Sequence, residues 1–125
     1  MFKRKVEYMA KLYVLADSQE RLSDVANDAH TLIHRNGARF TGGVSDHDSS
    51  DGRSNTSVRF TTSSPEAARR IFGAWVEAAS AQENVVVTGK AFGSTATGWE
   101  VWDVNDADEE HASARIAAHR QLYGR

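Results

Sequence analysis

Residues 6–44, VEYMAKLYVLADSQERLSDVANDAHTLIHRNGARFTGGV, change period twice, and that change decides the fold. From Val6 to Ala16 the even positions Val6, Tyr8, Ala10, Leu12, Val14 and Ala16 are all apolar. The odd positions Glu7, Met9, Lys11, Tyr13 and Leu15 are mixed, the pattern of a strand with one face in a core. The period then lengthens: Leu22, Val25, Ala26, Ala29, Leu32 and Ile33 fall on one stripe of a helix. Asp17, with Glu20 three residues on, predicts the capping box that starts this helix. Asn36-Gly37 predicts its left-handed stop. Alternation resumes from Arg39, with Phe40 and Val44 expected inward.

The same strand–helix–strand rhythm recurs from Val58 to Phe92. Val58 and Phe60 point in while Arg59 and Thr61 point out. Ser64-Pro65-Glu66 combines a cap, a proline at the first helical position and an acid in the first turn. Ala68, Ile71, Phe72, Trp75, Val76 and Ala79 form the second stripe, with Trp75 as a core anchor. Two such units predict an α+β, ferredoxin-like β-α-β-β-α-β antiparallel sheet with helices on one face. Residues 1–125 read as a single domain, with the core over about 5–92 and an added strand and helix over about 98–123. The strand is expected from Trp99 to Val104, paired in a hairpin with Val85–Phe92. Asp106 and Glu109 would cap the helix, which is acidic at its start, basic at its end and mostly alanine between. Residues 45–55 are polar throughout and predict a loop.

Composition excludes several chemistries. The chain of 125 residues has no cysteine, which removes disulfides, thiolate catalysis and cysteine-held metals, and fits the cytoplasm. The net charge of −2 gives no overall basic field for nucleic acid. No apolar run approaches the length of a membrane span. Arginine outnumbers lysine 11 to 4 and alanine is abundant, a codon signature of a GC-rich bacterial or phage genome.

The sheet face opposite the helices is the candidate binding surface. Lys11, Tyr13, Arg39, Arg59, Lys90 and Trp102 (or Trp99 in its stead) are expected on it, beside Met9 and Leu15. An open face of apolar groups ringed by bases implies a partner, either another protein or a second copy in a homodimer. The acids Asp103, Asp106, Asp108, Glu109 and Glu110 could face those bases if the last helix covers the sheet.

Other constellations dissolve on inspection. Asp46-His47-Asp48-Ser49-Ser50-Asp51-Gly52 lacks the register of a calcium loop, since the sixth residue is Asp51 and the twelfth Ser57. His30 and His34 stand at i and i+4 but drift to the solvent flank with no carboxylate beside them. No metal, cofactor or catalytic residue is therefore expected. Ser57-Val58-Arg59-Phe60-Thr61-Thr62-Ser63-Ser64-Pro65-Glu66-Ala67-Ala68 resembles the third strand and second helix of an RNA-recognition motif. That resemblance implies bases stacked on outward aromatics of the strand, whereas the outward residues here are Ser57, Arg59 and Thr61. In architecture alone the chain is similar to dimeric α+β-barrel proteins, which implies a pocket for a small ligand or cofactor-free oxygenase or isomerase chemistry. The reading is an interaction or oligomerisation module, with that enzyme or ligand binder as the alternative.

Overall fold

The computed structural model describes residues 5–50 and 52–104. The helix expected over 106–123 lies outside them. In chain order the elements are β1 (Val6–Ala16), α1 (Gln19–Arg35), β2 (Arg39–His47), β3 (Arg53–Thr62), α2 (Pro65–Ala81), β4 (Val85–Ser94) and β5 (Gly98–Asp103). The strands form one antiparallel sheet in the order β2-β3-β1-β4-β5. Over the described residues this is an α+β fold of five strands and two helices. β1 lies in the middle, which is why its even positions Tyr8, Ala10, Leu12, Val14 and Ala16 are all buried.

Both helices pack on the side of the sheet that those residues face. Leu22, Val25, Ala29 and Ile33 of α1 and Ala68, Ile71, Phe72, Trp75 and Ala79 of α2 join them in one core. Tyr8 stacks between Phe60 and Phe92, with ring centroids 5.8 and 5.7 Å away, and Phe72 lies 4.9 Å from Phe92. Trp75 is fully buried, and its indole Nε1 donates to the Val25 carbonyl at 2.8 Å, tying α2 to α1. That bond satisfies the one polar atom of the ring, so burial costs nothing in lost hydrogen bonding.

The helix ends follow local chemistry. Ser64 accepts from Ala67 N at 3.1 Å, with Pro65 and Glu66 in the first turn as expected. Asn36 is the C-cap of α1 and Gly37 follows at φ +70. At the start of α1 the expected cap moves by one residue. Ser18, extended at φ −157 and ψ 160, accepts from Arg21 N at 3.2 Å, so Ser18 rather than Asp17 is the cap. Glu20 is then too early in the helix to reach back and complete a box.

Two further expectations are corrected. The polar run 45–55 is mostly strand: β2 continues to His47 and β3 begins at Arg53. Ser45 Oγ lies 2.9 Å from Thr56 Oγ1, and His47 Nδ1 2.6 Å from Ser54 Oγ, so polar side chains pair where alternating apolar ones were sought. Only the short turn remains, closed by Asp48 N donating to the Arg53 carbonyl at 2.8 Å. Val44, expected inward, is 63% exposed. Phe40 pairs with Phe60 but Gly42 pairs with Arg59, leaving Thr41 as an extra residue. One inserted residue turns every following side chain to the other face. Val44 therefore pairs with Ser57 on the side away from the helices.

Candidate functional site

Register places the side chains of the open face in rows across the sheet, because paired antiparallel residues point the same way. One row runs Gly42, Arg59, Met9, Gly93 and Trp99. The next runs Val44, Ser57, Lys11, Ala91 and Trp102. Beyond it lie Asp46, Asn55, Tyr13 and Gly89, and at the opposite end Arg39, Thr61 and Glu7. Thus Lys11, Tyr13, Arg39, Arg59 and Trp102 share this face.

Lys90 does not. It pairs with the buried Leu12 and so belongs to the helix side. The cause is a bulge in β4: Tyr13 pairs with Gly89 and Val14 with Val87, so Thr88 is the extra residue and the parity of β4 reverses there. Uninterrupted alternation from Val85 and Val87 would have turned Lys90 outward. A matching bulge in β5 adds to the face. Phe92 pairs with Val101 and Gly93 with Trp99, so Glu100 is extra and both tryptophans reach the open side. Simple alternation allows only one of Trp99 and Trp102 there. The signal was the odd spacing of two large aromatics in so short a strand.

The resulting surface is a shallow trough. Its floor is Gly89, Ala91 and Gly93, all buried although they face away from the helices. One wall is Met9, Lys11 and Tyr13 on β1. The other is Trp99 and Trp102, ring centroids 5.1 Å apart and planes tilted by 58°. Each tryptophan is 51% exposed, so roughly half of two large apolar rings meets solvent. Tyr13 leans over Gly89, where an added Cβ would lie 3.4 Å from Tyr13 Cδ2. Lys11 Nζ stands 4.8 Å from the Tyr13 ring centroid, a cation–π contact. Arg59 turns toward the β2 edge, its Nη2 only 2.5 Å from where a Cβ on Gly42 would be. Neither Lys11, Arg39 nor Arg59 has an ion-pair partner among the described residues.

At the Glu7 end a depression of ≈ 200 Å³ opens between Glu7, Met9, Gly93 and Trp99. At the other end one of ≈ 310 Å³ is lined by Tyr13, Asp46, Asp48 and Asn55. Glu7 Oε2 accepts from Thr41 Oγ1 at a long 3.5 Å. The β5 edge is tied to the helix layer by Arg69 Nη2 donating to Glu100 Oε1 at 2.9 Å, which also holds the Arg69 proton more firmly than usual. In the hairpin turn, Asp48 accepts from Ser50 Oγ at 2.6 Å and Ser50 N at 2.9 Å. Those two bonds, the side-chain one foremost, hold the Asp48 carboxyl below its ordinary pKa. They stabilise the turn by the carboxylate itself. His30 packs its ring 4.0 Å from Phe40, and both His30 and His34 are exposed.

No family model matches the chain, and no curated protein matches it in sequence. Solved structures do resemble its fold. The C-terminal domain of the MgtC protein from Mycobacterium tuberculosis superposes with a TM-score of 0.55 at 10% identity, over 75% of this chain and 92% of that one. The de novo designed protein Foldit4 gives 0.54 at 12% identity, over 72% of this chain and 97% of the design. An amidase of the hydantoinase/carbamoylase family from Burkholderia phymatum gives 0.56 at 14% identity, over 91% of this chain. This chain spans about a third (34%) of that enzyme. At such identities the likeness is one of fold. A designed scaffold among the neighbours makes the point that this arrangement can exist without any inherited activity.

Proposed function

We propose that this chain is a ferredoxin-like protein-interaction module of the bacterial or phage cytoplasm, with the open sheet face as its docking surface. The observation that carries the reading is the pair Trp99 and Trp102, half exposed across the trough from Tyr13 and Lys11. Tryptophan, tyrosine and arginine are the residues in which binding energy concentrates at protein interfaces. Lys11, Arg39 and Arg59 add positive charge that favours an acidic segment on the partner and steers its approach. The depression beside Glu7, at ≈ 200 Å³, is smaller than a typical metabolite pocket and suits one inserted side chain. The half-exposed indoles, rather than the size of either depression, favour a macromolecular partner over the small-ligand or enzyme reading.

The test uses the full chain. A partner that co-purifies with it is prepared separately and its Kd measured by calorimetry against the native protein and a Trp99→Ala, Trp102→Ala variant. Weakening of at least about tenfold is expected, the scale of a central aromatic anchor. An unchanged Kd would remove the face from the interaction.

A further inference from the structure

We propose that the open face pairs with a second copy of this chain, stacked face to face about a two-fold axis that crosses the strands. This inference rests on reading the open face as a docking surface, and it names the occupant. The order of the rows and the charges in them carry it.

A closed pair of identical faces has to be self-complementary under its axis. Two in-plane axes can stack this sheet on itself. One runs along the strands and leaves each row opposite its own copy. On the middle strand β1 it sets Lys11 against Lys11 and Glu7 against Glu7. Like charges so placed oppose association. The other axis crosses the strands between the Met9 row and the Lys11 row. It lays β2 over β2 and β5 over β5, so the Arg39 row meets the Asp46 row and the Met9 row meets the Lys11 row.

Under the second axis opposite charges meet. Arg39 stands over the partner's Asp46, the two lying near opposite ends of the same edge strand. Arg59 stands over the partner's Ser57, diagonal to the same Asp46. Glu7 stands over the partner's Tyr13, next along the strand from the partner's Lys11. Lys5 and Arg53 belong to rows beyond the overlap, where Asp48 lies near enough to Arg53 to feel its charge. Trp99 stands over the partner's Trp102, and Trp102 over the partner's Trp99, so four indoles gather at the β5 edge.

Two bulges produce this symmetry. The extra Thr41 turns Asp46 onto the face that already holds Arg39. The extra Glu100 sets Trp99 and Trp102 in adjacent rows, one on each side of the axis. The residues involved are available: Arg39, Asp46 and Arg59 are exposed, and each tryptophan is 51% exposed. Neither Arg39 nor Asp46 has an ion-pair partner among the described residues. Strands ~4.8 Å apart and rows ~6.8 Å apart give the face about 650 Å² per copy. The stacked pair then covers roughly 1,300 Å², above the ≈ 1,000 Å² that a specific interface needs.

Sedimentation equilibrium of the full chain is expected to give twice the 13.7 kDa of one chain. Arg39→Asp and Asp46→Arg are then made separately and together. Each single reversal creates two like-charge pairs across the axis and should weaken self-association at least about tenfold. Both reversals in one chain should recover most of the affinity. Mixing the two single variants should give a heterodimer, because each charge again meets its opposite. Glu77→Arg, exposed on α2, should leave the mass unchanged. A monomeric native chain, or a dimer indifferent to the single reversals, overturns the inference. So does a dimer that both reversals weaken but that mixing does not rescue, since Arg39 and Asp46 would then not face each other. The two readings fail separately. A charge-swappable dimer beside a co-purified protein whose Kd ignores loss of the tryptophans removes the proposed function alone. A monomer that binds such a protein through the tryptophans removes this inference alone.

Discussion

Trp75 and Asp48 show how differently single residues hold this molecule. Trp75 is fully buried and donates to the Val25 carbonyl, so it fills the space between the helices and links them. Trp75→Ala should cost about 3–5 kcal/mol, the range for deleting a buried aromatic, read from the denaturant midpoint at constant slope. Asp48 is exposed, and its influence is local. Its pKa is lowered in the folded state by Ser50, so its contribution is present above the unfolded value and is lost as pH falls through the folded one. Carboxyl ¹³C titration should find Asp48 below its ordinary value, and Ser50→Ala should move it upward. An Asp48 midpoint indifferent to that change would deny the Ser50 hydroxyl its role.

Among the elements, the middle strand β1 and its neighbour β3 pair without interruption, and the bulges sit in β2, β4 and β5. This explains which parts were legible in the sequence. The even positions of β1 and the stripes of α1 and α2 announce the core because burial on one side imposes their period. The extra residues Thr41, Thr88 and Glu100 carry no such mark, since a bulge is set by pairing with a partner strand. Hence Val44 and Lys90 fall on the faces opposite to those alternation assigns, and Trp99 joins Trp102. Residues 45–47 and 53–55 were hidden for another reason: their strand pairing uses hydroxyl and imidazole contacts that resemble loop chemistry. Of the candidate face, Lys11, Tyr13, Arg39, Arg59 and Trp102 were readable by alternation, and the second tryptophan was marked only by its odd spacing from Trp102. Gly93→Ala tests the β5 bulge. Its Cβ would lie 2.5 Å from the Gly98 carbonyl oxygen and 2.9 Å from Trp99 Cα, so β5 must shift. A loss of about 1–3 kcal/mol, as for overpacking, is expected together with a change in tryptophan emission. Ser64→Ala, which leaves Ala67 N without its cap, should cost about 1 kcal/mol by the same measurement.

Across the molecule, stability should be graded from the centre of the sheet outward. β1 is covered by strands on both edges, whereas β2 and β5 each have one edge unpaired among the described residues, and β2 is exposed along nearly its whole length. Hydrogen exchange should therefore be slowest in β1 and β3 and fastest in β5 and β2, because edge strands open without unfolding the rest. Equal protection across the five strands would refute that gradient. The position of β5 carries a further meaning. The core is written almost entirely in residues 6–92, while the two indoles that dominate the open face come from the six-residue strand after it. Selection, or an engineer, can thus rewrite what the surface recognises by editing one short hairpin, leaving the folding instructions of the rest of the chain untouched.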